Sequence, residues 1–103
     1  MVRHMVRHVV KHGEYRQFLA AIKAFNEAAP LVGLPPYRVF QSLFGTINEV
    51  WTEADFETVQ ANVDAFATAR GKHEAFDRAF LDMLSHLVDG EQRDYILEEA
   101  KLD

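Results

Sequence analysis

The stretch VRHMVRHVVKH, residues 2–12, decides the fold. It is a doubled Met-Val-Arg-His unit running into Val-Val-Lys-His, and it places His4, His8 and His12 four residues apart. On a helix, histidines at that spacing share a face and can grip one metal ion. On a strand they also share a face, but four residues span about 13 Å at about 3.3 Å each. Zinc needs its nitrogens at about 2.0–2.1 Å. A strand therefore removes the metal-site reading within one chain.

The pattern favours the strand. Even positions carry Val2, His4, Val6, His8, Val10 and His12, and odd positions carry Arg3, Met5, Arg7, Val9 and Lys11. Alternation at a period of two, rich in β-branched valine, is the signature of extended chain. We therefore expect a first strand over residues 1–12, with no metal bound by its histidines.

After Gly13 the period changes. Tyr15, Phe18, Leu19, Ile22 and Phe25 follow helical spacing, with alanines between them and Glu14, Arg16, Gln17, Lys23 and Glu27 on the other side. This predicts an amphipathic helix ending near Pro30, because the residue before a proline is pushed out of the α region. Gly33, Pro35 and Pro36 make residues 31–36 a turn-rich connection. Residues 37–44 (YRVFQSLF) read as a strand, Gly45 and Thr46 as a tight connection, and residues 47–51 (INEVW) as its hairpin partner.

Thr52-Glu-Ala-Asp55 resembles a capping box, predicting a helix that carries Phe56, Val59, Val63 and Phe66. The pattern breaks near Gly71. It resumes with Phe76, Phe80, Leu84 and Leu87 and stops at Gly90. Arg93–Glu98 is a short final strand. The phenylalanines at 18, 25, 56, 66, 76 and 80 fall on the helical stripes and are assigned to the core.

The order is β-α-β-β-α-β with a split second helix: a ferredoxin-like α+β fold with a four-stranded antiparallel sheet, in one domain spanning residues 1–103. In that topology both helical segments cover one face of the sheet. The strands read as apolar on both sides, with Val2, Val6 and Val10 opposite Met5 and Val9, and Val39 and Leu43 opposite Phe40 and Phe44. A face left to water should be polar. The expected partner is a second copy, packed sheet on sheet about a two-fold axis.

Totals narrow the function. A chain of 103 residues, 49% hydrophobic and with eight phenylalanines, is globular and about one domain long. A net charge of −5 opposes general nucleic-acid binding, despite the local basic cluster of Arg3, Arg7 and Lys11. The absence of cysteine excludes disulfides, thiolate nucleophiles and iron–sulfur clusters. No apolar run reaches the roughly 18 residues of a membrane helix, and no signal-peptide block opens the chain, so the cytoplasm is the default location. No Gly-x-Ser-x-Gly elbow surrounds Ser42, and the five glycines form no phosphate loop.

Three quoted segments carry a resemblance: VVKHGEYRQFLAAI, FGTINEVWTEADFETV and FLDMLSHLVDGEQRDYILEE. Together they resemble the dimeric α/β-barrel superfamily, which includes NIPSNAP-type and antibiotic-biosynthesis-monooxygenase-like proteins. The likeness covers nearly the whole chain and lies mostly in layout. The acidic residue, Arg and Tyr common in the first strand of NIPSNAP-type members are replaced by His4, Val6 and His8. The strand from Ile47 is also shorter than in the family pattern.

The resemblance implies a homodimeric barrel holding a small, mostly apolar ligand. It also implies that some members oxidise aromatic substrates without a cofactor, while others bind haem through a histidine. Ligand-pocket candidates are His4, His8, Phe40, Trp51 and His86. No residue is assigned a catalytic role. Asn48 and Trp51, three apart on a strand, point to opposite faces, which weakens the oxygenase analogy. Trp51 is placed in the core, and Glu49 on its face becomes an acid/base partner if a histidine joins it. The competing expectation is a non-catalytic structural or regulatory homodimer whose interior is filled by Phe and Met.

Overall fold

The computed structural model describes residues 1–44 and 48–102. The elements are β1 (Val2–Val9), α1 (Tyr15–Ala28), β2 (Arg38–Gln41), β3 (Glu49–Phe56), α2 (Val59–Ala69), α3 (Glu74–Ser85) and β4 (Arg93–Glu98). A short 3-10 turn over Ala29–Val32 follows α1 and carries Pro30. The strands pair antiparallel in the order β2-β3-β1-β4. This is the expected α+β ferredoxin-like fold.

The opening segment is a strand, and it holds both Met-Val-Arg-His units except Met1. Its even residues Val2, His4, Val6 and His8 are buried, and its odd residues are more exposed. β1 stops at Val9. Val10 forms an isolated bridge with Leu87, and His12 lies beyond in an exposed turn. His12 therefore does not share the buried face of His4 and His8, contrary to the sequence reading.

The helices cover that buried face. Phe18, Ala21, Ile22, Phe25 and Ala28 form the packed stripe of α1, and Phe76, Ala79 and Met83 that of α3. Phe18 and Phe76 are fully enclosed, each worth about 1.5–3 kcal/mol of transfer free energy. The second helical region is split as expected. Gly71 takes φ +81 between α2 and α3, a conformation strained for any residue with a Cβ.

The capping-box expectation at Thr52 is overturned. β3 runs eight residues, through Thr52 to Phe56, and the N-cap of α2 is Thr58, whose hydroxyl accepts from the Ala61 amide at 3.0 Å. The cause is strand periodicity: Val50, Thr52, Ala54 and Phe56 are all buried against the helices. That burial and pairing with two neighbouring strands outweigh a capping pattern that contains no Glu or Gln at its end. The third strand is therefore full length, and Phe56 packs from a strand end. β2 is shorter than expected: Leu43 and Phe44 lie outside it and are exposed. The connection expected at Gly45 and Thr46, and Ile47 at the start of the expected hairpin partner, lie outside the described residues. At the other end, α3 stops at Ser85, with Gly90 in the turn before β4.

The face away from the helices is less apolar than the sequence suggests. Met5, Val9, Phe40, Trp51, Tyr95 and Leu97 share it with Arg3, Arg7, Arg38, Glu49, Glu53 and Asp55. Arg3 donates to Asp55 at 2.9 Å, Arg38 to Glu53 at 2.9 Å and Arg7 to Glu49 at 2.8 Å. The arginine hydrogen bond holds the Asp55 carboxyl below its ordinary range. No described helix is long and apolar enough to cross a membrane.

Candidate functional site

A cavity of about 580 Å³ lies between the helix-side face of the sheet and the helices. His4, Val6 and His8 of β1 form part of its floor, Thr52 of β3 another part, and Asp94 and Ile96 of β4 its far side. Phe25 of α1, Asn62, Val63 and Phe66 of α2, and Phe80 and Met83 of α3 cover it. Val63, on α2, is half exposed, as is Asp94, so the cavity wall reaches the surface between α2 and β4.

Two polar systems stand on this apolar wall. In the first, His4 lies between Tyr37 and Asp94: Nδ1 is 2.6 Å from the Tyr37 hydroxyl and Nε2 is 2.9 Å from Asp94 Oδ1. A carboxylate only accepts, so Nε2–H donates to Asp94 and Nδ1 accepts from the Tyr37 hydroxyl. Burial, reinforced by the charge of Asp94, raises the Tyr37 hydroxyl above the ordinary phenol range, so it stays protonated. Asn26 fixes Tyr37 independently: its side-chain amide donates to the Tyr37 carbonyl at 2.8 Å and its oxygen accepts from the Tyr37 N–H at 2.8 Å.

The second system is His8, paired through Nε2 with the Thr52 hydroxyl at 2.9 Å. Its Nδ1 is buried without a partner in hydrogen-bonding geometry, and so is Nδ2 of Asn62. Burial drops the pKa of His8 from 6.5 to about 4, against weaker opposing pulls from the charge of Asp94 and from the Gln92 side chain. His8 is therefore neutral at pH 7. Unmade hydrogen bonds at buried nitrogens are costly, and proteins rarely leave them.

The structure divides the expected pocket residues. His4 and His8 line the cavity. Phe40, Trp51 and His86 do not. Phe40 and Trp51 are cross-strand neighbours on the opposite face of the sheet. There Trp51 stacks on Tyr95 at 5.9 Å between ring centroids and donates from Nε1 to Glu49 at 2.7 Å. The core placement of Trp51 is thus corrected: β3 alternation turns it away from the helices. Glu49 shares that face but joins Arg7 rather than a histidine. His86 caps the end of α3, held at 2.9 Å by Glu14 and at 3.4 Å by Asp82. His73 caps the start of α3, accepting from the Ala75 amide.

Sequence reasoning missed Tyr37, Thr52, Asn62 and Asp94. Thr52 was readable from alternation with Val50 and Ala54, once those positions are taken as strand. Asp94 alternates with Ile96, yet the two faces of Arg93–Glu98 are too similar in the sequence to tell inside from outside. Asn62 was hidden by an exposed helix of low apolar contrast.

Haem, which the resemblance attributes to some members of the superfamily, does not fit the side chains placed here. The cavity wall carries Asp94 but no Arg or Lys to pair with two propionates. Both ring nitrogens of His4 and of His86 are engaged, and the remaining nitrogen of His8 is enclosed. Among the described residues no three His, Asp or Glu side chains gather as a metal site.

Comparison with solved structures finds the same fold across almost the whole chain. An uncharacterised NIPSNAP domain protein from Burkholderia xenovorans superposes with a TM-score of 0.76 at 13% identity, covering 97% of this chain and 95% of that one. A NIPSNAP family protein with unknown function from Agrobacterium tumefaciens gives 0.77 at 14% identity, covering 100% and 91%. A putative antibiotic biosynthesis monooxygenase from Nitrosomonas europaea gives 0.70 at 11% identity, covering 98% and 100%. No protein-family model and no curated protein matches the chain.

Proposed function

From a fold shared with NIPSNAP and monooxygenase-like proteins, and from the cavity above, we propose that this chain binds a small, mostly apolar ligand, aromatic in character. We place that ligand between sheet and helices in a homodimer of the dimeric α/β-barrel type. The observation that carries this reading is the cavity of about 580 Å³, whose mostly apolar wall carries buried polar side chains and, at its mouth, the half-exposed Asp94. Its size falls in the range of ligand sites, about 300–1,000 Å³. The space supports this reading over the alternative expectation, an interior filled by Phe and Met. Monooxygenase-like chemistry on that ligand is the finer form of the proposal, supported by the likeness in fold to the Nitrosomonas protein.

A second copy is the proposed cover for the opposite face. Trp51, Tyr95 and Phe40 offer aromatic surface, and paired Arg and acidic side chains surround them. Aromatic residues and Arg are enriched at protein interfaces. Both charge signs on one patch allow it to complement itself across a two-fold axis.

Ligand-observed and protein-observed NMR with a panel of bicyclic aromatic alcohols and ketones tests the site. The expected result is shifts of the His4 and His8 ring protons that disappear when Ala67, which lines the cavity from α2, is enlarged by Ala67→Trp. Shifts confined to Trp51 and Tyr95 would remove the cavity as the binding site. For the dimer, light scattering at micromolar concentration should give twice the subunit mass, and a subunit-sized mass refutes it.

A further inference from the structure

We propose that Tyr37, His4 and Asp94 form a proton relay that makes the cavity a site for enolising carbonyl compounds, specifically apolar ketones with an acidic α-carbon. The inference rests on the reading of the cavity as a small-molecule site and names its substrate class.

Three observations carry it. The hydrogen bonds have one polarity: Tyr37 O–H donates to His4 Nδ1 at 2.6 Å, and His4 Nε2–H donates to Asp94 at 2.9 Å. The relay runs along the cavity wall: Tyr37, His4 and Asp94 all line the cavity, Tyr37 and His4 buried and the Asp94 side chain 57% exposed where the cavity reaches the surface. It therefore has a buried end inside the cavity and a solvent-exposed end at the cavity mouth. Finally, the Tyr37 oxygen keeps lone pairs free for a ligand, and Asn26 pins the Tyr37 backbone whatever the ring carries.

The step balances without an oxidant. The Tyr37 oxygen takes a proton from the ligand's α-carbon while its own hydroxyl proton passes to His4 Nδ1. The C–H electron pair delocalises onto the carbonyl oxygen, leaving an enolate. His4 becomes an imidazolium beside the Asp94 carboxylate, so one new negative and one new positive charge appear, the latter next to an existing anion. Reversal returns a proton to carbon. Tyr37 is the group that touches the substrate, and His4 and Asp94 act through it. Three polar groups that merely satisfy one another would need no exposed carboxylate at one end and no ligand space at the other.

Hydrogen exchange in D2O reads the step directly. The probes are 2-tetralone and 2-indanone, with loss of the α-proton signal followed by proton NMR in the presence of the intact protein. The expected result is exchange well above the buffer rate. Tyr37→Phe should lower it about 100-fold, the scale of one general acid–base contribution, with ketone affinity changed less than about threefold. Asp94→Asn, which keeps a hydrogen-bond acceptor for His4 but removes the charge, should lower exchange about tenfold while the His4 and His8 ring shifts still report ketone binding.

Ring-proton shifts of His4 and His8 report binding in the same samples. Shifts with exchange no faster than buffer, or with equal exchange in wild type and Tyr37→Phe, overturn the relay and leave the binding reading standing. No shifts with either ketone overturn the substrate class and count against the cavity as a ligand site.

Discussion

Acidification should weaken this protein through one residue, His8. In the fold it stays neutral down to about pH 4, whereas in the unfolded chain it titrates at its ordinary value of 6.5. Between those values the unfolded state binds more protons, so stability falls as pH falls. Each unit of pKa difference corresponds to about 1.36 kcal/mol. The full shift amounts to about 3 kcal/mol, of which about 2 kcal/mol is lost between pH 7 and pH 5. That is a large share of the roughly 5–15 kcal/mol that holds a domain folded.

His8→Gln removes the titration while keeping a polar group opposite Thr52. The assay is urea unfolding followed by circular dichroism, repeated at pH steps from about 7 to about 5. The other histidines are common to both proteins, so the difference between the two pH profiles isolates His8. Glu49 and Asp55 also lose stabilising contacts in acid, because Trp51 with Arg7, and Arg3, hold their carboxyls below the ordinary values of 4.5 and 3.8. Their effect falls at lower pH than this window. Wild type should lose about 1.4 kcal/mol more per pH unit than His8→Gln below pH 6.5. Parallel profiles would refute the claim that His8 is buried as the neutral base.

Thr52→Val strips His8 Nε2 of its partner and should cost about 1–3 kcal/mol in urea unfolding; if Thr52 instead began a helix, the loss would appear as reduced helical dichroism. Thr58→Ala should cost about 1 kcal/mol as the loss of an N-cap, and a neutral result would place the start of α2 elsewhere. Phe18→Ala should cost about 3–5 kcal/mol, while Phe44→Ser, at a side chain 96% exposed, should be near neutral in the same measurement. Trp51→Ala together with Phe40→Ala should shift light scattering toward the monomer without altering the His4 and His8 ring shifts on ligand addition, and a cavity that fails with the dimer would show the two faces to be coupled.

Element order and the direction of the first strand were legible because they rest on strong contrasts: valine alternation before Gly13, a helical stripe after it, and Gly71 dividing two helices. The third strand was not, because Thr-Glu-Ala-Asp carries a local helix-start pattern and only pairing with β1 and β2 overrides it. That one misreading had a wide effect. It hid Thr52 as the partner of His8. It also left Trp51 without a flanking register, from which its side of the sheet follows: Trp51 opposes Arg7 and Phe40, both outward. His86 was misplaced for a different reason. The helical pattern expected to continue through Leu87 includes His86, but α3 ends one residue before it, and Glu14 draws the ring aside.

The site itself depends on contacts that no local pattern contains. Tyr37 and His4 are 33 residues apart, and His4 and Asp94 are 90 apart. What the sequence does contain is the constraint that brings them together. In β1 the even residues supply His4 and His8 to the cavity, while the odd residues supply Arg3 and Arg7 to the ion pairs on the other face. A slip of one residue in its pairing would exchange the two sets, burying two arginines beside Phe25 and Phe80 and turning the histidines outward. Buried unpaired charge is far more costly than the loss of any single hydrogen bond here. The arginines that decorate the open face therefore fix the register of β1, and that register is what holds His4 between a tyrosine and a carboxylate from distant parts of the chain.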